Sequence, residues 1–154
     1  MYKKIVWATD GSEGADIALA EARRLARLNA ARLFAVHCDQ RLTGRAAGYP
    51  LVADENEVRS KIRRQIAQLR RMGVDIELLA RRTHEEPADV VAALAEELEA
   101  DVIVCGTRGR ATLTGALLGS FGHRLVHVAR CPVLTVPNVI VTAKREKGRQ
   151  KTRV

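Results

Sequence analysis

Residues 100–123 read ADVIVCGTRGRATLTGALLGSFGH. Residues 100–106 read as a buried strand, Val/Ile-rich and ending on Gly106. Glycines and two arginines, Arg108 and Arg110, follow at once. A helix is expected near 118–129, with Leu118, Phe121, Leu125 and Val128 as its apolar stripe, and CPVLTVP (131–137) reads as the next strand. Backbone freedom and positive charge are thus concentrated where a strand hands over to a helix.

The same order of elements runs through the rest of the chain. KKIVWAT (3–9) is a strand, followed by a turn and a helix that Ser12 can cap, with Ala15, Ala18, Ala22 and Leu25 on its inner face. RLFAVHC (32–38) is a second strand. Residues 39–53, with Gly44, Gly48 and Pro50, show no periodicity and read as a loop. Asp54 opens a helix with Val58, Ile62, Ile66 and Leu69 on one face, ended by Gly73. VDIELLA (74–80) is a third strand, and a third helix spans 85–99 with Pro87 in its first turn and Val91, Leu94 and Leu98 on one face. Strand and helix alternating in this way predict an α/β fold, a five-stranded parallel sheet, doubly wound, with crossover helices on both faces. Ligands of such open sheets bind at the carboxyl ends of the strands, where Asp10, His37, Cys38 and Gly106 fall.

The 154 residues suit one domain, expected over 1–142, with a basic tail at 143–154. The net charge of +8 divides unevenly. Residues 138–154 hold six Lys/Arg against one Glu, whereas residues 1–137 hold twenty against seventeen Asp/Glu. The body therefore lacks an electrostatic reason to bind nucleic acid, and the tail KREKGRQKTRV has the composition of a solvated segment. No apolar run reaches the length of a membrane span, and the opening apolar run meets Asp10 too soon for a signal peptide. A cytoplasmic location is expected. Cys38, Cys105 and Cys131 are widely spaced, form no C-x-x-C pair and read as small core hydrophobes.

The glycine-rich stretch has the spacing Gly106-x2-Gly109-x9-Gly119-Ser120. It is neither a Walker A loop nor a dinucleotide fingerprint, and no lysine lies between Lys61 and Lys144. Its chemistry still favours an anion. Gly106 and Gly109 let backbone amides turn toward a ligand, and Gly119–Ser120 opens a helix whose free N–H groups and dipole favour phosphate. Ser120 adds a hydroxyl, and Arg108 and Arg110 offer guanidinium groups.

This spacing resembles the G-2x-G-9x-G-[S/T] pattern of the ATP-binding branch of the universal stress protein family. IVWATDGSEGADIALAEA resembles that family's opening strand and turn, and LLGSFGHRLVHVARCPVLTVP its last helix and strand; residues 2–137 fit. The resemblance implies strand order 3-2-1-4-5 and an ATP site with Mg2+ held mainly through the phosphates. It implies that Ala8, Thr9 and Asp10 border adenine and ribose, Asp10 accepting from sugar hydroxyls or helping to hold Mg2+. Cys38 would meet adenine through its main chain, and Gly106, Arg108, Gly109, Gly119, Ser120, Phe121 and Gly122 would surround the phosphates. Phe121–Gly122 departs from the family's usual Val followed by Thr, Ser or Ala, so a hydroxyl is lost while the amide stays available. The family also implies a homodimer through the last strand, 131–137, and a nucleotide-responsive regulator with a protein partner that the sequence does not identify. The alternative is a dimeric interaction module that has lost its nucleotide. No nucleophile–base pair is visible, so any ATP hydrolysis would be slow and driven by positioning and metal.

Other features have plainer readings. His123 and His127 share a helix face at metal-ligand spacing but bring no third ligand nearby in sequence. His37 reads as a packing or hydrogen-bonding residue, and the arginine pairs at 63–64, 70–71 and 81–82 as solvated surface.

Overall fold

Val/Ile/Leu-rich runs become five parallel strands because helices cover both faces of the sheet they form. A computed structural model describes residues 1–40, 55–109 and 118–137. Its elements are β1 (Lys4–Ala8), α1 (Glu13–Asn29), β2 (Arg32–Gln40), α2 (Glu55–Arg71), β3 (Ile76–Thr83), α3 (Pro87–Glu97), β4 (Val102–Gly106), α4 (Ser120–Val128) and β5 (Val133–Val136). The sheet order is β3-β2-β1-β4-β5, and every pairing is parallel, as expected. Asp54, Arg110, the glycines and proline at 44–50, Val139–Val141 and the tail 143–154 lie outside the described residues.

Alternation along each strand sends side chains into two cores. Ile5, Trp7, Leu33, Ala35, Val102 and Val104 face α1 and α2. Val6, Ala8, Phe34, Val36, Ile103 and Cys105 face α3 and α4. The α1 face is built of alanines (Ala15, Ala18, Ala22, Ala26), which lets the helix lie close to the sheet. Trp7 fills the space beneath its first turn, and its indole N–H donates to the Ala15 carbonyl at 2.9 Å. The buried face of α2 is Val58, Ile62, Ile66 and Leu69, as its spacing predicts.

Several boundaries differ from expectation. β2 continues through Asp39 and Gln40, which pair with Arg82 and Thr83 of β3. β3 is shifted toward its carboxyl end, covering 76–83 instead of 74–80, because an edge strand can carry polar residues facing water. α4 begins at Ser120, so Leu118 precedes it, and Val128 is 36% exposed instead of joining the apolar stripe.

β1 lies at the centre of the sheet, and the chain winds outward from it in opposite directions through β2 and β4. The crevice between the carboxyl ends of β1 and β4 is therefore the topological switch point.

Candidate functional site

The turn after β1 is tightly self-bonded. Thr9 donates its amide to the Val36 carbonyl at 2.9 Å, and its hydroxyl accepts from Gly11 N–H at 3.1 Å. Its carbonyl accepts from His37 Nδ1 at 2.9 Å. Thr9 is buried and anchors the turn, while Asp10 is half-buried beside it. The Asp10 carboxylate accepts from Ser12 N–H at 2.9 Å through Oδ1. Ser12 in turn caps α1, its hydroxyl accepting from Ala15 N–H at 3.3 Å.

The loop after β4 folds onto this turn. A β-carbon on Gly106 would lie 2.6 Å from the Gly14 carbonyl carbon and oxygen, so β4 ends directly against the first turn of α1. A β-carbon on Gly109 would lie 2.6 Å from Asp10 Oδ2. Thr107 donates its amide to the Val136 carbonyl at 3.1 Å and accepts from Gly119 N–H at 2.7 Å. That second bond pins the start of α4 to the β4 loop. Gly119 is the N-cap of α4 without a side-chain cap, so the Ser120, Phe121 and Gly122 amides have no intrahelical acceptor. No acidic side chain occupies the first turn of α4.

Asp10, Arg108, Gly109, Gly119 and Ser120 thus come together from three parts of the chain around the β1–β4 crevice. Ala8, Cys38 and Phe121 belong to the sheet face covered by α3 and α4. Cys38 is half-buried, with Sγ 4.0 Å from the Pro87 carbonyl oxygen, and burial pushes its thiol up to about 11 despite the nearby Arg81 charge. Gly122 is buried, and a β-carbon there would meet Leu118 Cδ1 at 2.8 Å, the movable end of a side chain. Arg110 lies outside the described residues.

An adenine nucleotide with Mg2+ fits this donor set. The close approach of Gly109 to Asp10 is one that any side chain would fill, which keeps backbone within reach of a phosphate chain. Free helix amides and Arg108 are cationic or donor groups, and the Asp10 carboxylate suits sugar hydroxyls or a hard cation.

The sequence reading missed Glu55. His37 is fully buried, and while Nδ1–H donates to Thr9, Nε2 lies 2.5 Å from Glu55 Oε1. The pair ties the start of α2 to the residue before Asp10. Glu55 begins an ordinary helix, and no spacing rule links it to a histidine on another strand. His123 and His127 stack edge to face with centroids 4.9 Å apart, and no group of three metal-ligating side chains occurs among the described residues. No helix among them is long and apolar enough to cross a membrane.

Known proteins resemble this chain in sequence and in fold. The sequence profile of the universal stress protein family matches residues 1–137, and the chain belongs to that family. A universal stress protein of Methanocaldococcus jannaschii is 31% identical over 146 residues, covering 88% of this chain and 82% of that protein. The universal stress protein from Archaeoglobus fulgidus in complex with dAMP is 27% identical with a TM-score of 0.65, over 87% of this chain and 97% of that one. A universal stress protein in complex with cAMP is 26% identical with a TM-score of 0.66, over 88% of this chain and 97% of that one.

Proposed function

We propose that this universal stress protein family member binds ATP with Mg2+ in the β1–β4 crevice and acts as a nucleotide-responsive regulator in the cytoplasm. The observation that carries the reading is the 2.7 Å bond from Gly119 N–H to the Thr107 carbonyl. It holds the amide-rich start of α4 beside the glycine loop that covers Asp10. Related proteins crystallised with dAMP and cAMP support an adenine ligand.

In this reading the Gly106–Gly109 backbone, Arg108 and the amides of Ser120, Phe121 and Gly122 hold the phosphates, with Gly119 keeping the start of α4 in place. Asp10 meets the ribose hydroxyls or Mg2+, and Ala8, Thr9 and the Cys38 main chain border the adenine. Magnesium would neutralise phosphate charge and fix the phosphate chain. The protein works as a homodimer through β5 and signals to a protein partner.

Thermal unfolding with Mg-ATP tests the reading. Ligand at about 100 times its Kd stabilises a fold by ~2.7 kcal/mol, which raises Tm by roughly 5–11 °C for a domain of this size. A folded wild-type protein with no ATP-dependent shift would leave the interaction module as the surviving alternative.

A further inference from the structure

The nucleotide reading leaves a second concentration of charge unused. An open cleft of about 280 Å3 between α2 and β3 is lined by Arg59, Arg63, Arg81 and Arg82, with Ile62 and Leu78 as an apolar floor and His37 at its inner end. Among the described residues no carboxylate lines it. Two acids lie behind the arginines. Asp39 accepts from Arg59 Nη2 at 3.0 Å and stands 3.4 Å from Arg82 Nε. Glu55 stands 3.8 Å from Arg59 Nε, too far for a hydrogen bond, and that buried N–H has no acceptor. Arg81 donates to the adjacent Ala80 carbonyl at 3.1 Å, and Arg63 has no ion pair among the described residues.

Among the described residues, four guanidinium groups against two carboxylates leave a surplus of two positive charges at this cleft. A phosphate monoester carries about −1.5 to −2 at neutral pH, and its oxygens match the guanidinium fork. Buried ligands are generally held by an apolar floor with a few polar groups that set orientation, and Ile62 and Leu78 supply that floor here. We propose that the α2–β3 cleft is a second anion site, separate from the β1–β4 crevice, that takes a phosphate monoester with a compact apolar body. Arg63 and Arg81 hold the phosphate, and the apolar part lies against Ile62 and Leu78.

Calorimetric titration of the full chain with phenyl phosphate and with inorganic phosphate, at physiological ionic strength, tests this. Phenyl phosphate is expected to bind, and to bind more tightly than inorganic phosphate because it also covers the floor. Arg63→Gln should weaken it about tenfold, as loss of one charge-assisted hydrogen bond does, and Arg63→Lys should weaken it less. Arg108→Gln, which removes a phosphate-holding group of the β1–β4 crevice, should leave phenyl phosphate binding unchanged. Three results overturn the proposal: no binding by the folded protein at millimolar phenyl phosphate, binding insensitive to Arg63→Gln, or equal loss in Arg108→Gln. The last would place the ligand in the nucleotide crevice. Equal affinity for inorganic phosphate would overturn the role of the apolar floor.

Discussion

Gly109 and Asp10, 99 positions apart in the chain, stand so close that a β-carbon on Gly109 would lie 2.6 Å from Asp10 Oδ2. The carboxylate is also tethered on its other side, where Oδ1 accepts from Ser12 N–H. A side chain at 109 therefore acts on Asp10 before it acts on any ligand.

Gly109→Ala and Gly109→Val should accordingly separate function from stability. The carboxylate tip can turn away, so unfolding free energy should change by no more than about 1 kcal/mol for alanine. The Mg-ATP thermal shift should fall sharply for alanine and vanish for valine. Melting curves with and without Mg-ATP measure both; a full shift in folded Gly109→Val removes this loop from the site.

Gly106→Ala should do the reverse. Its β-carbon would meet Gly14 main-chain atoms at 2.6 Å, and helix backbone has no rotamer by which to yield. Forcing β4 and α1 apart should cost roughly 1–3 kcal/mol, as overpacked cores do. Urea unfolding gives the value. A neutral result would mean that α1 moves freely over the carboxyl end of β4.

Dimer formation through β5 is best tested at Leu134. Val133 and Val136 pack against the two cores, so lysine at either disturbs the fold as well as the edge. Leu134 is 36% exposed, and Leu134→Lys should release monomers in sedimentation without lowering Tm by more than a few degrees. Dimers of undiminished strength would move the interface to another surface.

Acid should erase the contribution of Asp101. Its Oδ2 accepts from Lys3 N–H at 2.6 Å and Lys4 N–H at 2.8 Å, and those two backbone bonds hold its carboxyl below the usual range. A depressed folded pKa gives stability that is present above the unfolded value of about 3.9 and lost as pH falls through the folded one. Asp101→Asn should cost at most about 1 kcal/mol at neutral pH, the site being open to solvent. The gap between variant and wild type should close below pH ~4. A gap that persists in acid would assign the effect to shape instead of charge.

The thiols should be unreactive while the protein is folded. Burial pushes both Cys38 and Cys105 up to about 11, and raises Cys131 as well. At pH ~8 an ordinary thiol is about one-quarter thiolate, so unfolding should speed the reaction with a disulfide reagent by more than about 100-fold at Cys38 and Cys105. Rapid labelling of the native protein at Cys38 would show that the α3 side of β2 opens readily.

The element order, the parallel sheet, the inner face of α2 and the glycine spacing were all legible in the residues alone. Each of these is a local signal. Apolar residues at a helical or strand period report which face is buried, and alternation of the two element types leaves parallel crossover as the packing solution. Where burial is one-sided the signal fades: Arg81, Arg82 and Thr83 continue β3 on an exposed edge, and their polarity hid them from the pattern. Tertiary structure alone decided which residues meet. Gly106 against Gly14, Gly109 against Asp10, His37 against Glu55, and the arginines gathered around Asp39 all depend on strand order and register. Sequence spacing carries no record of those contacts, because a sheet brings together ends of strands that the chain has separated by whole helices.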